Sequence, residues 1–232
     1  MFDREMVNQI LKGVGWLNEK MGIWAIILPI VFAIVVIYLL YKAYKKPSKK
    51  RSISVLVAFA LIYIFGGYTI FIGKDFMGAT AAIGGAVGLW SVSVFLILDI
   101  IFGWTTIKVS QKKYLKILSW SLIFAGIILY PILELILGFH YPHMVFFGAE
   151  CPTTIVLIGV LIGAIPKTNK PLLILVSINA IFTGGSVAIN GASFDALYAL
   201  AGVIGIIMIV INFKTLFLQK KKHKGDIFGN EA

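Results

Sequence analysis

The chain has 232 residues, of which 59% are hydrophobic and only 13% charged, with a mean hydropathy of +0.96; an ordinary soluble domain carries about 25% charged residues. Water is not its main solvent. A net charge of +11 does not point to nucleic acid, because the basic residues fall in short runs between apolar segments, YKAYKKPSKKR, KVSQKKYLK, PKTNKP and LQKKKHKG, as they do in loops that flank membrane spans.

Residues 1–21 mix acids with bases and have no short apolar core ahead of a small-residue cleavage site, so they do not read as a signal peptide. Met6, Ile10, Leu11, Val14 and Leu17 recur at helical spacing, with Asp3, Arg4, Gln9 and Asn18 elsewhere on the wheel. This predicts an amphipathic helix on the outer surface, either anchoring the first span or forming a lid over an outer cavity.

Seven apolar runs follow, at residues 22–41, 52–72, 77–102, 115–138, 151–165, 172–189 and 196–213. They are continuously apolar and lack the alternation of a barrel strand. The expected fold is an all-α polytopic membrane bundle of about seven helices in the plasma membrane, closed by a basic tail over residues 214–232. Seventeen of the 21 basic residues lie on one side if the N-terminus is outside, which leaves Arg4, Lys12, Lys20 and Lys74 on the other. The positive-inside rule then orients the chain N-out and C-in. The KKKHK tail is either a stop-transfer charge cluster or a docking element for anionic lipid or a membrane partner subunit; a homo-oligomer is a further option, and nucleic acid is not expected.

Two acids fall within spans. Asp99 is placed near the inner interface, where snorkelling to the surface accounts for it, and Glu134 near the outer one, where structural and functional roles stand level. The glycines of AIGGAVG and FTGGS lie inside spans and predict close helix packing, or close approach of a ligand.

The stretch HYPHMVFFGAECPTT, residues 140–154, holds two of the three histidines and the only cysteine. From Pro152 to Pro166 there are 15 residues, about 22 Å as an α-helix and some 8 Å short of the hydrocarbon thickness. Lys167 and Lys170 pin the far end near the inner surface, so the missing length falls on the outer side. This predicts a re-entrant loop over residues 139–154 whose backbone is buried by protein or lines a wet cavity. Pro152 suits the first helical position, with Cys151 near the N-cap and Thr153 and Thr154 in the first turn. Glu134, His140, Tyr141, His143, Glu150, Cys151, Thr153 and Thr154 are the candidate pocket or substrate residues. His140, His143 and Cys151 have ligand types suited to a soft or borderline metal, although H-x-x-H followed by a distant cysteine matches no strong zinc spacing. Whether a cofactor binds is left open by the sequence.

The segment LYPILELILGFHYPHMVFFGAECPTTIVLIGVL and the later LLILVSINAIFTGGSVAINGASFDALYALAG resemble an uncharacterised prokaryotic family of multi-pass membrane proteins, a domain of unknown function. The residues that carry the resemblance are Tyr130-Pro131, Gly138, His140, Tyr141-Pro142, Phe147-Gly148, Cys151-Pro152-Thr153-Thr154 and Gly184-Gly185-Ser186. It implies a membrane location and several spans, and brings no activity with it. A small transporter or channel with an outward pocket is the leading functional reading, ahead of an accessory or structural subunit and of a thiol enzyme using Cys151; a non-enzymatic role is favoured.

Overall fold

The computed structural model describes residues 3–71 and 79–218. Lys74 and the basic tail beyond residue 218 therefore lie outside the described residues. The protein is a helical membrane bundle. In chain order its helices are α1 (Arg4–Met21), α2 (Trp24–Lys45), α3 (Lys49–Phe71), α4 (Ala79–Phe102), α5 (Lys113–Ile136), α6 (Glu150–Gly163), α7 (Lys170–Ile189), α8 (Ser193–Ile211) and the short α9 (Phe213–Phe217).

Six of these are long and apolar enough to cross a bilayer: α2, α3, the Ile83–Phe102 part of α4, α5, α7 and α8. The expected seventh span is α6, which has only 14 residues, about 21 Å of helix against roughly 30 Å of hydrocarbon. The difference has a clear packing cause. Every residue of α6 from Pro152 to Gly163 is buried, so it is a central post enclosed by its neighbours. A helix that is apolar all round belongs there. The outer helices instead leave Ile30, Ile34, Ile37, Ile83, Val87 and Ile132 exposed, a surface that suits hydrocarbon and not water.

The basic loops meet at one end of the bundle. Within the 103–112 loop, Ile107 N donates to Ser52 Oγ (2.9 Å) and Thr106 N to the Lys167 carbonyl (2.9 Å), while Lys112 Nζ reaches Asn212 Oδ1 (3.3 Å). Asp99 is fully buried and accepts from Thr105 N (2.7 Å) and Thr105 Oγ1 (2.5 Å). Thr105 Oγ1 in turn accepts from Asn169 N (2.8 Å). The snorkelling expected of Asp99 is thus replaced by a buried clasp that closes the turn after α4 and ties two loops together.

The opposite end carries α1 and the 137–149 loop. Asp3 caps α1 by accepting from Met6 N (2.8 Å), and Gly22, at φ +56°, turns the chain into α2. The positive φ is one that glycine adopts without a steric penalty.

Three of the spans contain a π turn, Gly67–Phe71 in α3, Ala125–Leu129 in α5 and Ala180–Gly184 in α7. Such turns add a residue to the helical repeat and re-aim the side chains that follow. Here the turn of α5 directly precedes Tyr130, and that of α7 follows Asn179 and contains Thr183, all part of the site described next.

Candidate functional site

The 137–149 loop folds back among the helices. Gly148 packs on Phe32, with a β-carbon at Gly148 falling 3.1 Å from that ring, and Phe32 stands eight residues into α2, about 12 Å along its axis. The Pro152 carbonyl lies against Gly126, ten residues before the end of α5, about 15 Å from that end. α6 therefore starts at mid-depth in the bundle and runs to the basic end. It begins at Glu150, two residues earlier than the proline suggests, with Ala149 as N-cap. Pro152 still falls in the first turn, where no intrahelical donor is required of it.

Side chains hold the loop at this depth. Glu134 Oε1 accepts from Val145 N (2.9 Å), and Thr153 Oγ1 from Gly148 N (2.9 Å). Glu134 is fully buried, and its Oε2 has no hydrogen-bond partner. The outer part of the loop is bound to α1. Asn18 Nδ2 donates to the carbonyls of Pro142 (2.5 Å) and Met144 (2.9 Å), and Tyr141 Oη donates to the Asn18 carbonyl (3.0 Å). The His143 ring lies on Gly15, where a β-carbon would come within 2.7 Å of it.

The start of α6 carries the polar centre. Glu150 Oε1 accepts from Asn179 Nδ2 (2.7 Å) and from Tyr198 Oη at a longer 3.4 Å, and Asn179 Nδ2 is also 3.0 Å from Tyr198 Oη. Asn179 Oδ1 accepts from Thr183 Oγ1 (3.1 Å), and Tyr63 Oη shares a hydrogen bond with Thr154 Oγ1 (2.6 Å). A second group adjoins it: Tyr130 Oη donates to Asp195 Oδ1, and the Cys151 thiol lies against the same carboxyl. Asn179 is nine residues into α7 and ten from its end, so the Glu150 carboxyl sits about 15 Å from the α1 end of that helix.

This centre forms one wall of a cavity of about 360 Å³. Glu150, Cys151, Asn179, Thr183 and Asp195 supply its polar side; Val7, Ile10, Leu11 and Val14 of α1, with Ile70, Phe71, Val187 and Phe194, supply the apolar one. The hydrophobic stripe of α1 is thus turned onto the bundle over the cavity.

The eight candidate residues separate into groups. Glu150 and Cys151 line the cavity, and Thr154 belongs to the network behind it. Glu134 and Thr153 tether the loop. Tyr141, His140 and His143 are exposed on the α1 side, the two histidines in a separate cleft with Asn8 and Lys12. His140 and His143 are therefore not brought together with Cys151, and among the described residues no three His, Cys, Asp or Glu side chains gather as a metal-ligand set. The metal candidates do not form a centre because the histidines face α1 while the cysteine faces the cavity. Sequence reasoning missed Asp195, Tyr130, Tyr63, Tyr198 and Asn179. Two of them offered a signal, Asn179 as a lone amide within an apolar run and Tyr130 in the Tyr130-Pro131 motif.

No curated protein and no solved structure matches the chain. The sequence model of one family, described as "Family of unknown function (DUF6064)", matches residues 7–220, and the chain belongs to that family.

Proposed function

We propose that the protein is a small transporter-like protein of the plasma membrane, oriented N-out and C-in, whose cavity holds a solute partway across the bilayer. The observation that carries this reading is the cavity of about 360 Å³ reaching a carboxyl-containing hydrogen-bond network at the mid-length of α7. Concave, mostly apolar sites with a few convergent polar groups are the usual form of small-molecule pockets. Ionisable groups inside a membrane are costly and mark solute or ion pathways. A helix that starts at mid-depth, preceded by irregular backbone, is a device by which transporters build such sites. The gathering of basic loops at the end opposite α1 supports the orientation.

The test is solute flux in proteoliposomes with Gly88→Leu as the blocked control. Gly88 lines the cavity, and a β-carbon there meets nothing within 4 Å, so a leucine fills the space without displacing a neighbour at its root. A screen of small cationic, neutral and anionic solutes should find one whose flux exceeds that of empty vesicles and falls at least tenfold in Gly88→Leu. No flux above background for any of them, or equal flux through the variant, contradicts the reading.

A further inference from the structure

The polar wall of the cavity has one sign. Glu150 and Asp195 are the charged types on it, and among the described lining residues there is no Lys, Arg or His. The two carboxyls are not equally available. Asp195 takes a hydrogen bond from Tyr130 and has the Cys151 thiol against it. At Glu150 both donors, Asn179 Nδ2 and Tyr198 Oη, converge on Oε1. Oε2 is left as an acceptor without a donor from the described residues.

A lone carboxyl oxygen at this depth is expensive unless something donates to it, and water must enter an otherwise apolar space to do so. The neighbouring polar groups do not relieve it. Asn179 spends its amide N–H on Glu150 and Tyr198, and its Oδ1 already accepts from Thr183. An anion entering the cavity would meet carboxyls and, among the described lining residues, no cation. A neutral apolar molecule would cover the walls and leave Oε2 dry. A small hydrated metal ion would find no gathered ligand set among the described residues and would face Val7, Ile10, Leu11 and Phe71.

We propose that the cavity takes a small amphiphilic monocation of the alkylammonium class. Its N–H groups bind Glu150 Oε2, and its alkyl body lies against α1, Ile70 and Phe71. This deepens the solute-site reading above and rests on it. One carboxyl oxygen without a donor from the described residues matches one ammonium head. At roughly 30 Å³ per water, the cavity of about 360 Å³ has the room of about a dozen waters, enough for a six-carbon chain with its ammonium head.

The full chain in nanodiscs is titrated by calorimetry, against empty nanodiscs, with n-hexylammonium, hexan-1-ol and hexanoate. Hexylammonium should bind saturably at one site per chain and at least tenfold more tightly than the other two. Glu150→Gln keeps an acceptor for Asn179 and removes the charge. It should weaken hexylammonium tenfold or more and leave hexanol unchanged, whereas Gly88→Leu should weaken all ligands alike. Hexanol or hexanoate binding as well as the ammonium, or Glu150→Gln binding it like the native chain, overturns the cation preference. If those ligands are still blocked by Gly88→Leu, the solute site stands without that preference. If all three fail to bind, or bind equally to Gly88→Leu, both are discarded. The ranking on the native chain decides the matter alone should Glu150→Gln not fold.

Discussion

A β-carbon on Gly126 would lie 2.5 Å from the carbonyl oxygen of Pro152. The π turn of α5 and the first turn of α6 thus meet backbone to backbone, and only glycine allows that approach. Gly126→Ala should destabilise the fold by about 1–3 kcal/mol, the usual cost of overpacking. Gly88→Ala, with open space at the β-carbon, should be neutral or stabilising by up to about 1 kcal/mol. Reversible unfolding of both variants in one detergent measures the difference; equal stability of the two would mean that α5 and α6 are not so close.

Tyr130 and Asp195 form the second buried pair. Both are almost wholly inaccessible, and the tyrosine ring is also held edge-on by Phe194 at a 5.6 Å centroid distance. Tyr130→Phe keeps that ring contact and deletes the donor, leaving a buried carboxyl short of one hydrogen bond. The expected loss is about 1–3 kcal/mol, read from the same unfolding curves. Phe194→Leu in the Tyr130→Phe background reports on whether ring and hydroxyl act independently.

α1 is fastened to the loop through Asn18 and to the bundle through its apolar stripe. Asn18 supplies the donor to two loop carbonyls, so Asn18→Ala should free α1 while the spans stay folded. Hydrogen exchange should accelerate for amides of α1 and of residues 141–145, and remain unchanged in α6. Acceleration confined to the substituted position would show that α1 is held chiefly by its apolar stripe.

Orientation can be read chemically. In a Cys151→Ser background the chain has no other cysteine, and both Glu5 and Lys50 are exposed. A membrane-impermeant thiol reagent applied to intact cells should label Glu5→Cys at once and Lys50→Cys only after permeabilisation. The reverse order would invert the N-out reading.

Much of the fold was legible because lipid imposes a simple code. Runs of about 20 apolar residues separated by lysine-rich turns mark helices without reference to their partners, and the shortness of the segment after Pro152 pointed to a loop that dips inward. Two misreadings have physical causes. Asp99 reads as a snorkelling acid because it lies near the inner end of its span, whereas Thr105 folds back over it. His140, His143 and Cys151 looked like a cluster because they are neighbours in the chain, yet the loop turns the histidines into a cleft with Asn8 and Lys12, His143 against Gly15, and the cysteine toward Asp195. The residues missed, Tyr63, Tyr130, Asn179, Asp195 and Tyr198, come from four helices. Their convergence depends on helix rotation and on the π turns, neither of which leaves a period in the sequence. Asp195 in particular reads as an ordinary acid at a helix start, where the dipole favours one.

The most direct test of the account is the depth of Glu150 in a bilayer. An electron cryomicroscopy map of the full chain in nanodiscs shows the headgroup layers together with the helices. The account predicts Glu150 about 15 Å below the headgroups on the α1 side, within hydrogen-bonding distance of Asn179, with a cavity beside it lined by α1. Glu150 at headgroup level, or the space beside it filled by packed side chains, would contradict it.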